Sequence, residues 1–362
     1  MAFSRLTTRR INLGAVPIGG GAPVAVQSMT NTDTRDAAAT LAQIERLAAA
    51  GCEIVRCAVP DMDAARAFKP ITAASPLPVV ADIHFDASLA VAAVERGAAS
   101  LRINPGNIDG EKAMDRVVDA AKAFGAPIRV GANSGSLPKD LLQKHGGPTP
   151  EAIVQAALGH VRLLEQRGFH EIKVSLKSSS VLDTIAACRR FAEVSGYPQH
   201  LGITEAGGLM AGTVKSAVGI GALLLEDIGD TMRVSLTADP VREVEAAWHI
   251  LRACGLRRRG VEIISCPTCG RTERDLIGLL EAAERELALI QAPLTVAIMG
   301  CVVNGPGEAS HADVGVAGGR GQGVVFAKGQ VVKKVPEADL LAALMQEVQR
   351  AQDALMKTKR QA

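Results

Sequence analysis

The strongest chemical signal in the sequence is a set of cysteines in its last third. Cys266 and Cys269 are separated by two residues, and Cys301 follows after a stretch long enough for a helix and a strand. Two cysteines at this spacing can share one metal centre, and a third from a separate loop gives three thiolates, a set suited to an iron-sulfur cluster or to zinc. A redox-active dithiol of the thioredoxin type is the third alternative.

The fourth ligand distinguishes the two metals. A structural zinc site needs a closed set of cysteine or histidine ligands, and the candidates are Cys254 and His311. An iron-sulfur cluster with a reactive iron would be served by a weaker oxygen ligand such as Glu308, which can leave to admit a substrate oxygen. Pro306 stands between two glycines, and this turn can direct Glu308 towards the metal. The spacing favours iron-sulfur and leaves zinc open.

A second set of polar residues lies at spacing two along short apolar runs, so that their side chains point to one side. The cations of this set are Arg56, Arg102, Arg129, Lys173 and Arg233. The neutral polar residues are Asn104, Asn133, Ser175 and Ser235. Converging cations repel one another unless a multiply charged anion lies between them, and guanidinium groups bind phosphate oxygens in pairs. We therefore expect a diphosphate substrate.

Acidic and imidazole side chains accompany these cations. Glu205 ends the seventh apolar run, and it is either a general acid or base or the counterion of Lys173. Asp82 and His84 end the third run, and the role of His84 is ambiguous. The glycine-rich segment 207–225 lacks the spacing of a Walker motif and predicts a buried helix, not a membrane span.

The elements that position these residues follow from the alternation of β-branched runs with alanine-rich amphipathic stretches, such as 37–50 and 87–96. The runs span 24–30, 53–59, 78–85, 100–104, 127–133, 171–177, 200–205 and a last one ending at 232–236. Eight such strands predict an α/β fold of the (β/α)8 TIM-barrel type, which gathers catalytic residues at the C-terminal ends of its strands. We expect the substrate-binding barrel to occupy residues 1–255.

The remainder, residues 256–362, predicts a small α+β domain that would hold the metal centre. A strand at 261–264, a helix at 272–289, a strand at 294–298, glycine-rich hairpins to 335 and a helix from 337 are expected. Arg257, Arg258 and Arg259 lie in the linker, where a solvated charge run is the favoured interpretation and a docking patch for an acidic electron donor the other.

Composition limits the class of protein. The 362 residues are 48% hydrophobic and carry 40 basic against 38 acidic side chains, which argues against a chain-wide footprint for nucleic acid. Aromatic residues make up 2%, too few for base-stacking platforms. Residues 1–10 are basic without an apolar segment after them, so we expect a cytoplasmic protein rather than a secreted one. Seven cysteines in such a chain favour metal or redox chemistry over disulfides.

Seven stretches together resemble the bacterial 4-hydroxy-3-methylbut-2-enyl diphosphate synthase family of the methylerythritol phosphate route. They are PVAVQSMTNT at 23–32, LRINPGN at 101–107, RVGANSGS at 129–136, GITEAG at 202–207, IGDTMRVSLT at 228–237, SCPTCGR at 265–271 and MGCVVNGPGE at 299–308. The resemblance covers nearly the full length. No long insertion separates the barrel from the second domain, so the chain is similar to the two-domain bacterial form and not to the enlarged plant form.

The resemblance implies a reductive ring opening of 2-C-methyl-D-erythritol 2,4-cyclodiphosphate, with loss of water. It implies a [4Fe-4S] cluster held by Cys266, Cys269, Cys301 and Glu308, with Glu308 yielding its iron to the substrate oxygen. It also implies that Glu205 donates a proton while the cationic and neutral polar residues of the barrel grip the substrate.

The partners that the resemblance implies are flavodoxin or ferredoxin as electron donor and a second copy of the chain. In such head-to-tail homodimers the cluster domain of one chain covers the barrel of the other. Two other hypotheses stand beside this one: a zinc-stabilised barrel lyase or isomerase acting on a phosphorylated substrate, and a zinc-ribbon protein that binds nucleic acid.

Overall fold

The computed structural model describes residues 4–108, 110–269, 272, 275–301, 311–319 and 321–361. The chain divides into two compact units, Met1–Arg257 and Arg258–Ala362. The sequence places this boundary after residue 255, within the same short linker.

The first unit begins with an antiparallel hairpin of two short strands, β1 (Ile11–Leu13) and β2 (Val16–Ile18). Its buried side chains Ile11, Leu13 and Ile18 pack against the first residues of the strands that follow, among them Ala25, Ile54 and Val80. These positions lie at the N-terminal ends of the strands. The hairpin therefore closes that end of the sheet with an apolar plug.

Eight parallel strands form the sheet of the first unit. They are β3 (Ala25–Met29), β4 (Ile54–Ala58), β5 (Val79–Asp82), β6 (Ser100–Arg102), β7 (Ile128–Asn133), β8 (Ile172–Lys177), β9 (His200–Leu201) and β10 (Thr231–Met232). Their order is β8-β7-β6-β5-β4-β3-β10-β9, and a parallel bridge between Val174 and Gln199 joins β8 to β9. The closed order confirms the predicted TIM-type barrel.

Helices follow the strands around the outside. They are α1 (Ala37–Ala50), α2 (Met62–Ala74), α3 (Ala87–Glu95), α4 (Glu111–Phe124), α5 (Lys139–His145), α6 (Pro150–Glu165), α7 (Val181–Val194), α8 (Leu209–Leu225) and α9 (Pro240–Ala253). Side-chain caps fix several starts: Asp36, Asp61 and Ser180 each accept a hydrogen bond from an amide of the first turn. These caps determine where each loop leaves the C-terminal end of its strand.

The predicted burial of the glycine-rich helix is only half right. The inner face of α8 packs tightly, since a Cβ added at Gly219 would lie 2.6 Å from Cδ1 of Ile203. The outer face exposes Met210, Val214 and Val218. Because the segment consists mostly of small and apolar residues, its sequence does not show which face of the helix is exposed. Among the described residues, no helix is both long and apolar enough to cross a membrane.

In its described residues, the second unit has a five-stranded sheet and two α-helices. Its elements are β11 (Glu262–Ser265), α10 (Leu276–Leu287), β12 (Thr295–Met299), β13 (Val314–Gly319), β14 (Gln322–Ala327), β15 (Gln330–Pro336) and α11 (Leu340–Gln361). Strands β11, β12 and β13 are parallel, and β13, β14 and β15 form antiparallel hairpins. A separate core, to which Ile298, Val316 and Leu344 belong, lies between sheet and helices. The predicted small α+β domain is confirmed.

Candidate active site and candidate metal centre

Asp82, the last residue of β5, organises one side of the C-terminal end of the barrel. Its carboxylate is 4% exposed and lies 3.0 Å from Nη1 of Arg102, 3.5 Å from Nε2 of His84 and 3.7 Å from Nε of Arg56. Burial alone would raise the pKa of Asp82, but the hydrogen bond with His84 and the charges of Arg56, Arg102 and Arg129 lower this pKa well below its usual range. Asp82 is therefore a permanent anion that fixes two arginines.

Arg233 is fixed by a residue that sequence reasoning missed. Glu243 on α9 is 3% exposed. Its Oε2 atom lies 3.1 Å from Nε of Arg233, and its Oε1 atom lies 3.1 Å from Nη2 of the same guanidinium group. The same carboxylate accepts the Ser28 hydroxyl and the Leu236 amide, both at 3.0 Å. A carboxylate with this many donors is rigid, and it orients the guanidinium group that it binds.

Six cations converge in the barrel, and we refer to them as the cation cluster. The cation cluster consists of Arg56, Arg102, Arg129, Lys173, Lys177 and Arg233. The register of β7 and β8 sets Arg129 beside Lys173 and Asn133 beside Lys177. Burial, followed by repulsion from neighbouring arginines, lowers the pKa of Arg129 and of Lys177 well below the usual values. Burial also lowers the pKa of Arg56, to about 10, although the charge of Asp82 opposes the shift.

Among the described residues, the carboxylates near the cation cluster are too few to neutralise it. Asp82 and Glu243 lie within 4.0 Å of its members. Asp230 also attracts Lys173, but burial raises the pKa of this carboxyl to about 6. Buried cations in excess of buried anions are costly without a counter-charge. The geometry therefore fits a ligand with several negative charges.

Lys177 is a member of the cation cluster that the sequence reasoning passed over. It is the last residue of β8 and shares the inward face with Lys173 and Ser175. A Cβ at Gly202 would lie 2.8 Å from the Lys177 Nζ atom, so the glycine makes room for the lysine. The sequence contained the evidence for Lys177, because Lys173, Ser175 and Lys177 are each two residues apart and therefore lie on one face of the strand.

The neutral polar residues fall into two groups. Ser175 is 7% exposed and pairs with Gly131 on β7, where an added Cβ would lie 2.1 Å from the Ser175 carbonyl oxygen. Asn133 lies beside Lys177 at the strand end. Asn104 instead uses its Oδ1 atom to accept the Gly106 amide at 3.2 Å, and Ser235 lies in the loop after β10. The barrel thus brings Ser175 and Asn133 to the cation cluster, whereas Asn104 shapes its own loop.

The second unit carries the cysteines at one edge of its sheet. Cys266 follows β11 directly and Cys301 follows β12, and these two strands are parallel neighbours. The Gly300 amide donates a hydrogen bond to the Cys266 sulfur at 3.2 Å, which brings the two cysteine-bearing loops together. Cys269 is exposed, and its amide donates to the Thr272 hydroxyl at 3.1 Å.

The predicted ligand set consists of Cys266, Cys269, Cys301 and Glu308. Glu308 lies outside the described residues. Within the described ranges, no three histidine, cysteine or acidic side chains meet closely enough to hold a metal ion. Of the two zinc candidates, Cys254 packs against α8 in the first unit, with its sulfur 3.9 Å from the Gly221 carbonyl oxygen, and His311 is exposed in the second.

Known proteins match the chain from end to end. Residues 8–248 match the family model described as the GcpE TIM-barrel domain, and residues 262–350 match the GcpE protein C-terminal domain. A 4-hydroxy-3-methylbut-2-en-1-yl diphosphate synthase (flavodoxin) of Lawsonia intracellularis is 61% identical over 95% of this chain and 96% of its own length. Those of Geobacter sulfurreducens and Desulfotalea psychrophila are 60% and 55% identical, over 95% and 98% of this chain and 97% and 98% of their own lengths.

The chain belongs to the 4-hydroxy-3-methylbut-2-en-1-yl diphosphate synthase family. The resemblance inferred from the seven sequence stretches is therefore confirmed. The two family domains also fall within the two units of the structure, one on each side of the linker.

Glu205 in this family member has an unusual backbone. It lies in the loop between β9 and α8 with an exposed side chain and a φ of +52°. Residues other than glycine rarely adopt this left-handed conformation, and such strain is concentrated at functional sites. The alternative role as counterion of Lys173 is wrong, because the Lys173 Nζ atom is buried without a hydrogen-bond partner among the described residues.

Arg257 corrects the interpretation of the linker as a solvated charge run. Its guanidinium group lies 2.6 Å and 2.8 Å from the two carboxylate oxygens of Glu53 and also donates to the Val24 carbonyl oxygen at 2.7 Å. It stacks on the Trp248 ring, 4.7 Å from the centroid. Charge pairing and stacking together anchor the end of the first unit to the residues that directly precede β3 and β4.

The remaining cysteines of the first unit are structural. Cys52, Cys57 and Cys188 are buried, and burial raises their pKa values to about 12, 11 and 12. Thiols held in this way are neutral and unreactive.

Proposed function

We propose that the chain catalyses the reductive ring opening and dehydration of 2-C-methyl-D-erythritol 2,4-cyclodiphosphate to 4-hydroxy-3-methylbut-2-enyl diphosphate in isoprenoid precursor biosynthesis. The observation that carries the proposal is the cation cluster, whose excess positive charge suits a diphosphate. The names of relatives at 61% and 60% identity support the same product.

The barrel residues bind and orient the substrate in this proposal. Arg56, Arg102 and Arg233 bind phosphate oxygens, since each guanidinium group is partly exposed and already held by the protein at one edge. Arg129 and Lys173 are buried and supply positive potential in a medium of low dielectric constant, and Lys177 adds a half-buried cation at the end of β8. Asn104, Asn133, Ser175 and Ser235 complete the binding set as hydrogen-bond donors.

Glu205 is the proposed proton donor. Ring opening breaks the bond between carbon and a phosphate oxygen, and dehydration then removes a hydroxyl group as water. Counted on fully protonated forms, two electrons and two protons are consumed for each water that leaves. Glu205 stands on a loop at the C-terminal ends of the strands, and its exposed carboxyl can receive the proton from solvent and deliver it to the departing oxygen.

A [4Fe-4S] cluster held by Cys266, Cys269, Cys301 and Glu308 is the proposed cofactor. Three cysteine sulfurs form a soft ligand set suited to iron-sulfur clusters, and the Gly300 amide donates to one of these sulfurs, as is common around such clusters. When bound, the cluster would supply the electrons for reduction. We assign residues 1–255 to substrate binding and residues 256–362 to cluster binding.

Flavodoxin or ferredoxin is the proposed electron donor, and the names of the relatives specify flavodoxin. We also propose that the enzyme is a cytoplasmic head-to-tail homodimer. In that assembly the cluster domain of one protomer would cover the barrel of its partner, so that each active site would be shared. Nucleic acid and membranes have no part in this function.

Metal content and turnover test the proposal. Anaerobically purified protein is expected to contain about four irons and four sulfides per chain, as a [4Fe-4S] cluster requires. It should convert the cyclic diphosphate when reduced flavodoxin is supplied. Glu308→Ala should impair turnover, with Glu337→Ala as the matched control of an exposed glutamate in the same domain. Stoichiometric zinc without iron, even after anaerobic reconstitution, would instead support a zinc-stabilised lyase or isomerase.

A further inference from the structure

Met29, the last residue of β3, lies between two arginines of the cation cluster. Its Sδ atom is 3.2 Å from Nε and 2.9 Å from Nη2 of Arg56. The same sulfur is 3.5 Å from Nη1 of Arg233. One uncharged side chain thus accepts hydrogen bonds from two guanidinium groups.

The position of Met29 follows from the order of the barrel strands. Strand β3 lies between β4 and β10, and Met29 pairs in register with Arg56 on β4. Arg233 follows β10 on the other side. An unbranched side chain on the central strand can therefore reach both arginines, and methionine has the length and polarizable sulfur to do so.

The two arginines depend on this sulfur to different degrees. Arg233 has a carboxylate partner in Glu243 at 3.1 Å. The nearest carboxylate oxygen to Arg56 belongs to Asp82, at 3.7 Å, and Asp82 binds Arg102 more closely. Within the described residues, the Met29 sulfur is thus a closer acceptor for Arg56 than any carboxylate that pairs with it.

We propose that Met29 is a positioning residue that fixes the Arg56 and Arg233 guanidinium groups without neutralising them, so that both charges remain available to a diphosphate ligand. The inference rests on the proposed function of the barrel. A carboxylate at this position would bind the same arginines but compete with the anion, and an aliphatic side chain would leave their N–H groups without an acceptor. A thioether meets both requirements because it accepts weakly and carries no charge.

The test compares three substitutions in the full-length, anaerobically purified protein. Met29→Leu removes the acceptor, Met29→Gln keeps an uncharged acceptor, and Met29→Glu adds a negative charge. Met114→Leu is the matched control, because Met114 is a buried methionine of α4 in the same barrel. Inorganic pyrophosphate is the probe, its affinity is measured by titration calorimetry, and folding is monitored by the melting temperature.

The expected order of affinity separates positioning from packing. Met29→Leu should weaken pyrophosphate binding by about 3- to 10-fold, the effect of losing one weak acceptor shared by two arginines, with the melting temperature nearly unchanged. Met29→Gln should bind within about twofold of the wild type. Met29→Glu should weaken binding by more than about tenfold, because a like charge meets the anion. Met114→Leu should change nothing.

Two results would overturn the inference: wild-type affinity in Met29→Leu, or equal affinities in Met29→Gln and Met29→Glu. If Met29→Leu does not fold, the comparison of the glutamine and glutamate variants decides alone. The proposed function fails separately, if the wild-type protein does not bind pyrophosphate or if Arg56→Gln binds it as well as the wild type.

Discussion

Replacing Lys173 by methionine is expected to stabilise the barrel while weakening substrate binding. Lys173 is 1% exposed, and its Nζ atom has no hydrogen-bond partner among the described residues. Burial, followed by the charges of Arg129 and Arg56, lowers the pKa of this amine well below its usual value, and Asp230 opposes the shift only partly. Folding therefore removes the Lys173 amine from water without giving it a hydrogen-bond partner among the described residues, which costs free energy.

The expected gain in stability equals the free energy that the buried, unpaired amine costs the folded chain. A buried donor without a partner costs about 1–3 kcal/mol, and methionine fills nearly the same volume without a polar end. For a unit of this size, each kcal/mol corresponds to about 2–4 °C in melting temperature. We expect the barrel transition of Lys173→Met to rise by about 2–12 °C in scanning calorimetry. Lys69→Met, at an exposed position of α2, is the matched control and should shift little.

The pH dependence of the free energy of unfolding provides a second test, because the lowered pKa of Lys173 fixes its direction. An amine whose pKa is lowered by folding binds fewer protons in the folded chain than in the unfolded chain between its two pKa values. The stability of the wild type should therefore rise with pH across this window, by at most about 1.4 kcal/mol per pH unit. Methionine does not titrate, so the advantage of Lys173→Met should shrink between pH 7 and pH 9.

A fall in the melting temperature of Lys173→Met would refute this reasoning, because it would mean that Lys173 has a stabilising partner. An advantage that grows with pH would refute the assigned direction of the pKa shift. Retained pyrophosphate affinity in the more stable variant would remove Lys173 from the proposed binding set.

Three further predictions follow from the backbone and the linker. Gly131→Ala should destabilise the barrel by about 3 kcal/mol or more in urea unfolding, because the new Cβ would meet a backbone oxygen at 2.1 Å, whereas Gly135→Ala, in open space, should be tolerated. Glu205→Asn should raise stability by about 0.5–1 kcal/mol by relieving a positive φ while abolishing turnover; unchanged turnover would exclude Glu205 as proton donor. Arg257→Lys should cost about 1–2 kcal/mol through loss of paired hydrogen bonds and stacking, and equal stability of Arg257→Lys and the exposed control Arg258→Lys would contradict the anchor.

The barrel was predictable because local signals agree with the tertiary structure. Helix α1 spans 37–50 in both prediction and structure, since Asp36 caps its start and Gly51, with a φ of +103°, ends it. Each predicted barrel strand overlaps an observed one, although β9 and β10 are only two residues long. The hairpin of β1 and β2 was missed because three-residue strands leave almost no periodic pattern.

The cation cluster was predictable where chemistry and strand position coincide, as for Arg56, Arg129 and Lys173, whereas the cysteine ligand set stays a prediction. Glu243 was missed because it projects from a helix, and its contact with Arg233 depends on packing that no local pattern records. Met29 was missed because methionine in an apolar strand has the pattern of a core residue. What a sequence cannot supply here is which distant side chains share a partner.

The apolar plug formed by β1 and β2 has an electrostatic consequence. Because Ile11, Leu13 and Ile18 bury apolar surface against the N-terminal ends of β3, β4 and β5, they limit the access of water and counterions to the buried charges from that side. The field of the cation cluster is therefore screened mainly from the C-terminal end. A barrel sealed in this way acts as a one-ended electrostatic funnel, which raises the local concentration of anions at the opening and accelerates their capture most strongly at low ionic strength.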